Sequence, residues 1–385
     1  MFDDALLMLV RAVFLERCLN TKIVFDTLSR KLEDLLASAN KQDLAHLVAY
    51  ALEKNNLLKY DTQSLFGKAK KQAIYRYFQM DLAYEQICCI FENEEIPFIP
   101  LKGLVVRKYY PEPWMRTSCD LDILVKEADI DRAIKVLESQ RWRIEGKKNY
   151  HDISLYSYTG VHLELHFHIK EGIQDMDAVL DRVWEFSSLT EGKEYTHRQS
   201  NEFLLFHLLA HMAYHFLNGG CGIRSVLDIW ILRRQLCYDE TLLQKLCDEA
   251  HLGKFYEHII VLSNIWFGDT MHTPTTRYME TIILNGGVYG DASGNILLNQ
   301  ARSGSKIKNI LHRLFMPYEK LKIRYTILEK YYWLTPIFQI VRWIQTLTGK
   351  RLSHVIKELK MNREVSADEL LIAERFLDEL GLRDM

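Results

Sequence analysis

At 385 residues, the chain is long enough for two or three hydrophobic cores, since a single core stops growing near ~250 to 300 residues. Its formal charge of −2 supplies no global basic field, so stable nonspecific binding to nucleic acid is not favoured. The seven cysteines are odd in number and lack C-x-x-C spacing, which argues against a disulfide framework or a structural zinc site and fits buried thiols in a reducing cytoplasm.

The chain opens on Asp3 and Asp4, where a secretory signal would carry positive charge, and Arg11 interrupts the apolar run that follows. Leu44, Leu47, Val48, Ala51 and Leu52 recur at helical spacing, with Asn55-Asn56 as a stop. From about Ala69 to Glu95 there is no Gly or Pro, and Ile74, Phe78, Leu82, Ile87, Ile90 and Phe91 give a long helix its apolar side before Pro97 closes it. Residues 1–95 are therefore expected to form an N-terminal helical region.

The pattern then changes to strands. Phe98–Leu101 is a short apolar run, Lys102-Gly103 a turn, Leu104–Tyr110 a short helix, and Pro111 and Pro113 a rigid loop before an apolar strand over Leu121–Val125. A helix at about Ala128–Gln140 precedes strands at Trp142–Glu145, His151–Tyr158 and Val161–Ile169, the last two joined as a hairpin at Thr159-Gly160. Residues 96–190 thus read as a mixed core and residues 191–385 as a large C-terminal helical domain, an α+β chain as a whole.

In the C-terminal part, Ser200 caps a helix through Phe216, which Gly219, Gly220 and Gly222 end. Further helices are expected at Ile223–Gln235, Glu240–Ala250, Lys254–Trp266 and Thr275–Leu284, the last with Thr273 and Pro274 as cap and first position. Gly286–Gly304, with five glycines, reads as a loop, either a connector or a lid. The most apolar late stretch, Tyr331–Trp343, is broken by Pro336 and charged at Arg342, so no membrane span is expected.

The chemistry gathers on two strands. Asp120 and Asp122 are two residues apart and so point the same way, which calls for a shared proton, a paired arginine or a divalent metal between them. In the run VHLELHFHI, alternation places His162, Glu164, His166 and His168 on one face and apolar side chains on the other. Asp120, Asp122 and Glu164 together make an oxygen cage for Mg2+ or Mn2+, the arrangement of phosphoryl and nucleotidyl transfer. Lys102, the backbone at Gly103 and Arg116 are the candidate phosphate contacts. A metal-dependent hydrolase built on His162, Glu164, His166 and His168 is a further reading. His207, His211 and His215 recur every four residues without an H-E-x-x-H glutamate, which argues for a core row or a polar seam facing the cleft rather than zinc. His166, Arg224 and Asp228 are candidate substrate contacts.

LKG, YPEPWMR, DLDILV and LELH, in this order, resemble the uncharacterised nucleotidyltransferases of the polymerase β-like nucleotidyltransferase superfamily, and weaker similarity extends through HLLAHMAYH and GGCGIRSVLDIWILRR. The resemblance implies a nucleotidyltransferase-type mixed sheet, with Asp120 and Asp122 as metal ligands and Glu164 as third acid and a base for the acceptor. It implies a cytoplasmic, Mg2+-dependent enzyme that moves a nucleoside monophosphate from an NTP, ATP among them, to an unidentified acceptor hydroxyl and releases pyrophosphate. The turn departs from the superfamily's usual Gly-Ser or Gly-Gly, because Leu104 follows Gly103; Ser118, Lys102 or Arg116 would then supply the phosphate contact. The alternative implied by that departure is a catalytically inactive nucleotide- or partner-binding protein on the same scaffold.

Overall fold

The computed structural model describes residues 2–15, 32–57, 60–145, 151–288, 290–303, 315–316, 318, 321–322, 325, 327–348 and 360–385. Five strands, β1 (Phe98–Pro100), β2 (Leu121–Val125), β3 (Arg143–Ile144), β4 (Asp152–Tyr156) and β5 (His162–His166), form one mixed sheet in the order β1-β2-β5-β4-β3. Only β2 and β5 run parallel. A parallel pair needs a crossover, supplied here by the Ile130–Ser139 helix and the antiparallel strands β3 and β4. That helix buries Ile130, Ala133 and Leu137, spaced three and four apart, as a single stripe. Gly160, with φ of +83°, turns β4 into β5 at the expected hairpin.

The two faces of the sheet serve different ends. Leu121, Ile123, Leu155, Leu163 and Leu165 join Met80, Ala83, Ile87 and Phe91 of the long Tyr60–Asn93 helix in one hydrophobic cluster. Strand alternation therefore turns Asp122 and Glu164 to the other side, where Ile99, Leu101 and Leu124 belong to a second cluster with the Asn201–Leu217 and Ile223–Gln235 helices. The same cluster takes in Leu6 and Leu9 near the start of the chain and Phe376 and Leu380 near its end. The chain is thus α+β, a mixed sheet among many helices with a C-terminal helical region.

Several elements depart from the sequence expectation. The long helix starts at Tyr60 and runs through Gly67, because packing of its later turns on the sheet outweighs the cost of one glycine, about 1 kcal/mol. A two-stranded hairpin pairs β6 (Ser187–Leu189) with β7 (His197–Gln199), and β7 falls in the region after residue 190 that was expected to be helical. The glycine-rich segment is mostly a helix, Ala292–Ser303, against the Ala367–Leu380 helix, so its expectation as a loop or lid is corrected; Gly304 lies outside the described residues. Its glycines allow close backbone approach. A Cβ on Gly286 would lie 2.6 Å from the Gly219 carbonyl oxygen, and one on Gly219 would lie 2.5 Å from that of Asp291. Among the described residues no helix is long and apolar enough to cross a membrane.

Candidate active site

The parallel register of β2 and β5 sets Asp122 directly beside Glu164, and Asp120 lies one residue before β2. All three line a cavity of ≈ 300 Å³, along with Lys102, His211 and Arg224. A smaller cavity of ≈ 190 Å³ also borders Lys102, Glu164 and His211, and adds His151, His166 and Glu171.

Two cationic or titratable groups offset this concentration of acid. Lys102 Nζ lies 3.5 Å from Asp122 Oδ1, and His166 Nε2 lies 3.0 Å from the same oxygen and 3.6 Å from Glu164 Oε2. Burial opposes ionisation of Asp122, which is 6% exposed, yet Lys102 and His166 outweigh it and hold the carboxyl well below its usual range. Glu164 lies on the other side of that balance. Burial, then Asp122 and Asp120, push it up to about 7, and burial and Asp122 raise Asp120 as well. Burial likewise opposes the charge on Lys102, but the surrounding acids, Asp122 first, outweigh it and raise its proton affinity. Lys102 has a φ of +43°, which a side chain adopts at a cost of about 1–3 kcal/mol; this backbone bend ends β1 and starts the four-residue Gly103–Val106 helix.

The remaining candidates are tied into the scaffold. A Cβ on Gly103 would meet Arg116 Nη1 and Ser118 Cβ at 3.1 Å, so the glycine lets the loop before β2 close on the turn. Arg116 donates from Nη2 to Asp228 Oδ2 at 2.8 Å and from Nε at 3.1 Å, while Tyr110 donates to Asp228 Oδ1 at 2.6 Å. Ser118 Oγ accepts from Arg107 Nη2 at 3.2 Å. Arg224, one turn from Asp228, pairs instead with Asp43 Oδ2 at 2.7 Å and donates to the Thr117 carbonyl at 3.0 Å.

The histidine row divides. His207 is buried beside Gln199, and burial lowers it to about 3. His211 faces the acid cavity with Nδ1 2.7 Å from Glu171 Oε1 and Nε2 3.1 Å from His215 Nε2. His168 lies apart, 3.6 Å from both Asp181 and Glu127, so the four-residue set on β5 and its extension does not converge on one point. Sequence reasoning missed Glu171, His151, Asp43, Tyr110 and Arg107. Glu171 carried no signal, since it falls out of phase with the polar alternation of His162 to His168, and the partnership of Asp43 with Arg224 spans 181 positions and left none either.

The donor set fits a divalent cation. Among the described residues two groups bring ligand atoms within 4.8 Å of one another, Asp120 with His162 and Glu164, and Asp122 with Glu164 and His166. The crowded like charges that raise Glu164 are the condition a bound cation would relieve. His207, His211 and His215 form no such group. A family described as uncharacterised nucleotidyltransferase matches residues 29–268, a span that includes the whole sheet, the acids and the helices facing them. No curated protein matches the chain.

Proposed function

This chain belongs to the uncharacterised nucleotidyltransferase family, and on that ground we propose that it is a Mg2+- or Mn2+-dependent enzyme that moves a nucleoside monophosphate from an NTP to an acceptor hydroxyl. The observation that carries the reading is the β2–β5 register, which assembles Asp120, Asp122 and Glu164 around one cavity beside Lys102. Asp120, Asp122 and Glu164 would hold the divalent ion. When bound, such an ion would neutralise phosphate charge and favour the ionised acceptor hydroxyl. Glu164, which lines the same cavity as Asp120 and Asp122, would serve as third acid, and the hydroxyl proton passes to this carboxylate or to solvent as the new oxygen–phosphorus bond forms. The bond from the α-phosphorus to the bridging oxygen then breaks, and pyrophosphate leaves. Lys102 supplies positive charge on the same cavity wall, where a triphosphate would need it.

A second reading, a nucleotide-binding protein without turnover, draws support from the turn. Gly103 is packed against Arg116 and Ser118, Arg116 is paired with Asp228, and Ser118 accepts from Arg107. Lys102 pairs with Asp122, whereas Arg116 and Ser118 line the same cavity but are engaged by Asp228 and Arg107.

Incubation with α-labelled and γ-labelled NTPs and a mixed pool of small-molecule and macromolecular hydroxyl acceptors separates the two. The enzyme reading expects α-label on an acceptor, γ-label in pyrophosphate, and loss of both in Asp122→Asn. Label that stays in intact, bound NTP favours the second reading, and γ-label on the acceptor contradicts both.

A further inference from the structure

The acid cluster is not built from oxygen alone. On β5, a period of two places His162, Glu164 and His166 on the same face, with the carboxylate in the middle. Glu164 therefore belongs to both ligand groups, with Asp120 and His162 on one side and Asp122 and His166 on the other.

The spacing suits coordination. Bonds of ~2.1 Å at right angles put adjacent ligand atoms ~3 Å apart, and His166 Nε2 lies 3.0 Å from Asp122 Oδ1 and 3.6 Å from Glu164 Oε2. His162 Nε2 is buried without a hydrogen-bond partner. Both rings are held from the neighbouring strand and its entry: Tyr156 of β4 stacks on His162 with centroids 4.7 Å apart, and His151, just before β4, stacks on His166 at 5.9 Å. Such stacking limits ring rotation, as a ligand that must present one nitrogen requires.

We propose that His162 and His166 are metal ligands, so that the chain holds two divalent ions bridged by Glu164, each with one imidazole nitrogen, and prefers Mn2+ to Mg2+. The proposal rests on the metal-dependent reading of the acids. Imidazole is a poor match for Mg2+, which keeps to oxygen, while the carboxylates on each ion retain the hard character that Mn2+ accepts. Ligation through Nε2 of His166 places the ring proton on Nδ1.

Pulsed electron paramagnetic resonance on the full chain loaded with Mn2+ reads the ligands directly. Wild-type protein should show 14N modulation from bound Mn2+, reduced in His162→Ala and in His166→Ala and absent in the double variant. Calorimetry should show Mg2+ binding more than about tenfold weaker than Mn2+, with the gap closing in the double variant. Bound Mn2+ without 14N coupling in the wild type overturns the histidine ligands and leaves the carboxylate cage standing, and needs no variant to fold. Absence of Mn2+ binding, or binding unchanged in Asp122→Asn, overturns both this proposal and the reading on which it rests.

Discussion

Glu164 is the residue whose environment is least comfortable without a cation. It is pushed up to about 7 from an ordinary 4.5 by burial and by Asp122 and Asp120, so between those values the folded chain binds more protons than the unfolded one. Metal-free stability from this group is therefore highest below about pH 4.5 and falls as pH rises through 7. Glu164→Gln should melt above the wild type at pH 8 without metal, and the difference should vanish near pH 4; calorimetric scans that show a lower melting temperature for the variant at pH 8 would contradict this account. Asp120, Asp122 and Glu164 were legible in the sequence because strand alternation fixes side, and a parallel partner needs only one register to bring Asp122 beside Glu164. Lys102 was legible as a basic residue at a turn, but its contact with Asp122, which makes it a counter-charge inside the cluster, was not.

Arg116 and Asp228 join two elements that the sequence keeps 112 residues apart, the loop entering β2 and the Ile223–Gln235 helix. The pair is buried, with Tyr110 completing the carboxylate's partners. Removing one member of a buried pair leaves an uncompensated charge, at about 3–5 kcal/mol, while removing both in favour of apolar groups costs far less. Asp228→Leu alone should therefore lower the denaturant midpoint sharply, and Arg116→Met with Asp228→Leu should recover most of it. A double variant as unstable as the sum of the singles would rule out the clamp. No periodicity announces such a partnership, so the expectation of Arg116 as a phosphate contact and Asp228 as a substrate contact carried no sign of their mutual bond; both line the cavity with the acids. The glycines near residue 290 misled: glycine marks either a loop or a tight backbone crossing, and here Gly286 and Gly219 cross. Hairpin β6–β7 was lost because three-residue strands carry too short an alternation to register.

In the whole molecule, the sheet has one face against the Tyr60–Asn93 helix and the other toward the Asn201–Leu217 and Ile223–Gln235 helices, with the acids where that second layer opens into a cavity. The α+β class and the order of strands and helices through the middle were readable, since hydrophobic period switches cleanly near Pro97. The layering was not, because clusters joining Leu6 to Phe376 depend on contacts that local pattern cannot encode. That second layer brings His211 and Arg224, and the segment after β5 brings Glu171, to the cavities around the acids, whose lining is spread from Lys102 to Val288. The central claim is that this pocket grips a triphosphate through a divalent ion held by Asp120, Asp122 and Glu164. Titration calorimetry with a nonhydrolysable NTP tests it most directly: binding should appear with Mg2+ or Mn2+, vanish with chelator, and fall more than about tenfold in a folded Asp120→Asn, Asp122→Asn variant. Equal binding with and without metal, or in the wild type and the variant, would contradict it.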